Sequence, residues 1–151
     1  MRHKQGFTLI ELLIVISVIA ILIGIALPRF RGIQDEGRTA KAAGELRTLQ
    51  TAVESYYIHV SPHAYPAAGA TWQTVIVAAK PQIVGAALID PFNGTVQYTF
   101  LKSANGQYYV IFSVGTDMAA DITSITDAGV VTGGPDDDIY VSNGTSGTGG
   151  F

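Results

Sequence analysis

The sequence predicts an α+β fold: a long N-terminal α-helix, its first half membrane-spanning and its second half amphipathic, packed on a small antiparallel β-sheet head. Three observations predict it. An apolar run from Phe7 to Leu27 carries a single charge, Glu11. Beyond it, Leu46, Leu49, Val53 and Tyr56 recur at spacings of three and four, the period of one helix face. The second half of the chain holds short β-rich runs separated by turn signals.

The apolar run sets the first boundary. At 1.5 Å per residue its 21 residues reach about 31 Å, enough to cross a bilayer. A cleaved secretory signal has an apolar part of about 7 to 15 residues and ends in small residues. This run is longer and ends in "LPRFR". The positive-inside rule does not orient it, because Arg2 and Lys4 precede it while Arg29, Arg31, Arg38, Lys41 and Arg47 follow it. Glu11 is its anomaly. A carboxylate at the centre of a spanning helix costs roughly 2.5 to 3.5 kcal/mol, so such acids usually have partners and functions. An acid near the membrane edge that simply stays wet is the bland alternative.

Segment 7–27 is therefore read as the transmembrane half of the helix, and 28–58 as its amphipathic half. Pro28 lacks a donor and Gly24 lies in the same turn, so a kink or a locally melted stretch is expected at 24–28. The helix should end near "HVSPHAYP", where two prolines interrupt the pattern. His59 and His63 have helical metal-pair spacing, but Pro62 falls between them and no third ligand is close in sequence. A histidine metal site is not supported.

The head, 59–151, is expected to open with a short helix in "TWQTVIVAAK" and a turn at "IDPFNGT". "TVQYTFL" alternates, with Val96, Tyr98 and Phe100 on one face. "KSANGQ" holds an Asn-Gly turn, and "YYVIFSV" is β-rich. Together they read as a hairpin.

From residue 103 onward the chain contains six acids, Asp117, Asp121, Asp127, Asp136, Asp137 and Asp138, and no Lys or Arg. Such a surface disfavours nucleic acid as a partner. Clustered Asp among Gly, Ser and Thr suits a hard cation, which takes six to eight oxygen ligands, but the spacing is not that of an EF-hand. A solvated acidic loop explains the same residues. There is no cysteine, which excludes disulfides, thiolate metal sites and cysteine nucleophiles. No GxSxG, HExxH or phosphate-loop pattern occurs, so the chain is not read as an enzyme.

"KQGFTLIELLIVISVIAIL" resembles the N-terminus of the type IV pilin and type II secretion pseudopilin family. It has a basic leader (1–6) ending in Gly6, then Phe7, then Glu11 as the fifth residue from Phe7, with Pro28 at the family's usual place. The resemblance implies a pilin-like fold and cleavage between Gly6 and Phe7 by a prepilin peptidase on the cytoplasmic side, with methylation of the new Phe7 amine. It also gives Glu11 a partner, the Phe7 amine of a neighbouring subunit. A lone buried acid that must meet an amine specifies the stagger of adjacent helices more than it adds stability.

Downstream, "AYP", "DPFNGTVQY", "FSVGTD" and a later Asp-Ile are similar, more loosely, to the major pseudopilins of type II secretion. This resemblance implies a helical homo-oligomeric filament in the periplasm, built from a single-pass inner-membrane subunit. Its implied partners are minor pseudopilins and an inner-membrane assembly platform. It further implies a calcium ion held by the side chains of Asp117 and Asp138, with Asp136 close by and backbone oxygens of Val114 and Ile139 as further ligands. The segment between Asp117 and Asp136 is longer than the family leads one to expect, which leaves Asp121 and Asp127 as alternative ligands. A surface type IV pilin, serving adhesion, motility or DNA uptake, is the second reading.

Overall fold

The computed structural model describes residues 7–134 and 136–145, with the side chain of Pro28 left out. Gly6 and the rest of the leader, and the Gly/Ser/Thr tail from Ser146, lie outside the described residues. The chain forms two compact units, Met1–Gly37 and Arg38–Phe151, and helix α1, Leu9–His59, contributes to both.

In the first unit the large apolar side chains from Phe7 to Ile33 are all exposed. The helix is long and apolar enough to cross a membrane. It is assigned without interruption through Gly24 and Pro28, so the melted stretch expected there does not occur. A proline deletes one amide donor, and the helical bonds on either side of it suffice to carry the helix through.

In the second unit Ala42, Leu46, Leu49, Ala52 and Val53 of α1 form a buried stripe. It packs with Trp72, Ile76, Tyr98, Phe100, Tyr109 and Ile111 in one core. Trp72 opens the short helix α2, Trp72–Ala78. Its Nε1 donates to the Tyr98 carbonyl at 2.9 Å and its ring stacks on Phe100. Tyr98 and Phe100 face the core as the alternation requires, but Val96 is half exposed. Strand β1 is Thr99–Lys102 and does not reach back to Val96. There the chain closes the "DPFNGT" turn instead, with the Asp90 amide donating to the Val96 carbonyl at 3.0 Å.

β1 pairs antiparallel with β2, Tyr109–Ser113, forming the expected hairpin. β2 pairs on its other side with β5, Ile139–Ser142, giving the sheet order β1-β2-β5. All five residues of β2 are buried, because both faces of the sheet are covered. Tyr109 and Ile111 face the helices. Val110 and Phe112 face a second core made with Ile122, Ile125, Val131 and Tyr140. That second cover is a hairpin of β3, Ile122–Ile125, and β4, Val131–Gly133, inside the segment read from sequence as one acidic loop.

Candidate assembly and cation sites

At the head of α1, Thr8 and Glu11 hold each other. The Thr8 amide and hydroxyl donate to Glu11 Oε2 at 3.3 and 3.1 Å, and the Glu11 amide donates to Thr8 Oγ1 at 3.3 Å. This is the reciprocal capping box of a helix N-terminus, and "TLIE" fits its Ser/Thr-x-x-Glu/Gln pattern. Sequence reasoning dwelt on the carboxylate and missed the cap. Phe7, exposed beside it, is 81% accessible. Gly6 lies outside the described residues, as does the Pro28 side chain.

The acidic loop is built from both ends of the sheet's return. Ser113 pairs with Ile139, so the end of β2 and the start of β5 stand side by side, and Val114 and Ile139 flank the segment between them. Val114 is fixed by its amide, which donates to Asp90 Oδ2 at 3.0 Å. Asp90 is 2% exposed, and its Oδ1 also accepts the Phe92 amide at 2.9 Å and the Ser113 hydroxyl at 2.7 Å. Thus "DPFNGT" anchors the loop's first residue. Gly115 follows at φ +67°, and a Cβ there would collide with the Asp137 carbonyl, so the close approach requires glycine.

Carboxylate oxygens of Asp117, Asp121 and Asp137 lie within 4.8 Å of one another. Asp137 Oδ2 accepts the Thr116 hydroxyl at 2.5 Å and the Asp117 amide at 2.9 Å. Asp138 Oδ2 accepts the amides of Asp121 and Ile122 at 2.9 and 2.8 Å. The Oδ1 atoms of Asp137 and Asp138 are buried without a hydrogen-bond partner, and Asp138 as a whole is 5% exposed. Burial pushes the Asp138 carboxyl up, reinforced by the charges of Asp121 and Asp137, against the pull of its two amide donors. For Asp137 burial also acts upward, but the bonds from Thr116 and the Asp117 amide prevail and hold it below the usual carboxylate range.

Of the aspartates named from sequence, Asp117 is in this group, Asp136 is exposed and stands outside it, and Asp138 adjoins it through its bonds to Asp121 and Ile122. Asp127 is elsewhere, at the hairpin tip, where its Oδ1 accepts the Asn105 amide at 2.8 Å. Asp137 was not singled out in the sequence, because three adjacent aspartates give no sign of which one the chain turns inward. An all-oxygen donor set with two unpartnered buried carboxylate oxygens fits a hard cation such as calcium.

Residues 1–27 match the prokaryotic N-terminal methylation motif. The chain is 46% identical over 55 residues to a type IV major alpha-pilin of Moraxella bovis, a match spanning 36% of this chain and only 35% of that pilin. It is 29% identical over 138 residues to the type II secretion system core protein G of Klebsiella michiganensis, covering 91% of this chain and 92% of that one. Against the type IV major fimbrial protein FimA of Dichelobacter nodosus it is 26% identical over 120 residues, 79% of this chain and 77% of that protein. No solved structure matches. The N-terminal methylation motif, a helix long and apolar enough to cross a membrane and an α+β head stand beside similarity to type IV pilins at the N-terminus and to a type II secretion core protein along most of the chain.

Proposed function

We propose that this chain is the major structural subunit of a type II secretion pseudopilus, a non-enzymatic protein anchored once in the inner membrane with its head in the periplasm. Prepilin peptidase cuts between Gly6 and Phe7 and methylates the new amine. The subunits then assemble with minor pseudopilins on an inner-membrane platform into a short filament that drives protein export. The observation that carries this reading is the similarity to a secretion core protein along 91% of the chain, head included. By comparison, the alignments to the Moraxella and Pseudomonas pilins extend over 55 residues.

In the filament Glu11 exchanges its capping bonds for the Phe7 amine of a neighbour. Calcium is held by Asp117, Asp121 and Asp137, with Asp138 adjoining and the Val114 and Ile139 carbonyls as candidate backbone ligands. When bound, the ion supplies the positive charge that these carboxylates lack. Asp117 and Asp138 are kept from the sequence reading, Asp121 is taken from its two alternatives, and Asp137 takes the place of Asp136.

A surface type IV pilus is the second reading, favoured by the FimA similarity over 79% of the chain. Deleting the gene separates the two. Lost export of periplasmic cargo with surface pili intact is expected, and lost pili with export intact would overturn the reading in favour of the second.

A further inference from the structure

Beyond the apolar span that ends at Leu27, α1 runs on without interruption, and from Arg29 to Gly37 all its residues except Asp35 are exposed. Two of these residues, Phe30 and Ile33, are large and apolar. Among them stand Arg29, Arg31, Asp35 and Glu36. Such a stretch, apolar and charged with both signs, can be covered by another helix only where its charges meet opposite ones, because a buried charge left without a partner is strongly penalised.

The helix period places these charges on faces. Glu36 follows Glu11 by 25 residues, about seven turns, so the two acids share one face. Arg31 follows Glu11 by 20 residues, about five and a half turns, and lies on the opposite face. All three residues belong to the same compact unit. The stagger proposed above for the filament then sets their heights. A neighbour whose Phe7 amine stands level with Glu11 is displaced by four residues, about 6 Å. Glu36 is then level with the neighbour's Gly32, one residue from its Arg31. In a head-to-tail helical assembly the two sides of a contact are different surfaces, so the acid face of one helix meets another face of the next. Asp35 is level with the same arginine but about a third of a turn off the acid face. Arg29 lies on the acid face, but at its level the neighbour presents Ile25 and no acid.

We propose that Glu36 of one subunit pairs with Arg31 of its neighbour, forming a second charge pair just beyond the membrane-spanning segment at the same stagger that joins Glu11 to the Phe7 amine. This rests on the filament reading above and extends its interface past the apolar span. One displacement satisfies both pairs, and a wrong displacement breaks both. Phe30 and Ile33 are covered as the pair closes.

The test co-expresses the full chain with a prepilin peptidase in bacteria and counts filaments by electron microscopy, with membrane fractionation as the check on insertion. Glu36→Arg and Arg31→Glu should each cut filament yield about tenfold or more, because like charges then meet across the contact. The double variant, Arg31→Glu with Glu36→Arg, restores opposite charges and should recover most of the wild-type yield. Arg31→Gln should lower the yield while Arg29→Gln leaves it unchanged. A second readout is independent of yield. With Arg31→Cys and Glu36→Cys on one chain that has no other cysteine, oxidation should link subunits into a disulfide ladder, since the two positions lie about 9 Å apart on their own helix and cannot close within it. Wild-type yield in Glu36→Arg, a double variant no better than the single ones, equal loss in Arg29→Gln, or filaments of the double-cysteine variant that give no ladder would each overturn the pair while sparing the filament reading. No filaments from the wild-type chain under the same conditions would sink both.

Discussion

Tyr109 on β2 donates its hydroxyl to Glu54 Oε1 on α1 at 2.7 Å, joining sheet to helix across 55 residues of sequence. Tyr65 donates to the same carboxylate at 3.3 Å and accepts the Asn143 amide at 3.1 Å. Nine residues earlier on the helix, Glu45 accepts the Tyr98 hydroxyl at 2.6 Å. Tyr98 and Tyr109 are buried aromatics whose hydroxyls donate to these carboxylates, so the two glutamates fix which helix turn faces which strand. Replacing Glu54 by Ala leaves two tyrosine hydroxyls short of an acceptor and should destabilise the head by about 2 kcal/mol. Trp72, the chain's one tryptophan and a buried one, reports unfolding by fluorescence. A urea midpoint unchanged in Glu54→Ala would show that water replaces the carboxylate at no penalty.

The same tyrosines give the head an alkaline limit. Burial, with Glu54 next, pushes the Tyr65 hydroxyl up to about 12. Burial, then the bond to its glutamate, raises Tyr98 and Tyr109 further. A group whose pKa is higher folded than unfolded contributes stability that is complete below the unfolded value and is lost as pH rises toward the folded one. The contribution of these tyrosines should therefore be constant below pH about 10, the ordinary tyrosine value, and fall steeply from there toward 12. Tyr65→Phe should shallow that fall, measured by Trp72 fluorescence against urea at each pH. An unchanged slope would mean that Tyr65 ionises as freely folded as unfolded.

The fold was legible where pattern and burial share one period. The Leu46, Leu49 and Val53 stripe and the β1–β2 hairpin around Asn105 and Gly106 follow from such patterns. The β3–β4 hairpin was hidden because its strand does not alternate: Ile122 and Ile125 are both buried three residues apart, across a register shift between Ile122 and Ser124. Val96 misled in the opposite way, continuing an alternation that the turn at Asp90 had already ended. At the N-terminus the capping box was present in "TLIE" but was overshadowed by the oddity of an acid in an apolar run. In the acidic loop composition announced a cluster, while its membership depended on contacts between residues 16 to 21 apart, such as Asp121 with Asp138 and Thr116 with Asp137.

Asp90 shows how a turn motif supports a remote loop. Its two oxygens accept three donors, from Phe92, Ser113 and Val114, with 2% of the residue exposed. Asp90→Asn keeps the shape but turns one acceptor into a donor facing an N–H or O–H. A cost of about 2 kcal/mol is expected, since a buried donor loses its partner. Because Val114 leads into the aspartate cluster, the calcium binding proposed above should weaken as well. A variant as stable as wild type would show that the turn holds without the second acceptor.

In the proposed filament Glu11 would have to leave its local capping box. In the single chain its carboxylate is already occupied, accepting the amide and hydroxyl of Thr8. An exchange of those bonds for a neighbour's Phe7 amine is nearly balanced in hydrogen bonds and gains the attraction of opposite charges in an apolar surrounding, part of which offsets desolvation. Glu11→Leu should therefore insert in the membrane as well as wild type while losing most filament formation, since nothing then penalises a wrong stagger between helices. Thr8→Val keeps the carboxylate but removes a hydroxyl that both donates to it and accepts the Glu11 amide, so it should fray the first helical turn and reduce assembly less severely. Electron microscopy of filaments formed on co-expression with a prepilin peptidase measures both yield and axial rise. Filaments of Glu11→Leu with wild-type yield and rise would mean that the apolar surfaces alone set the stagger, and the carboxylate would then be left with its capping role.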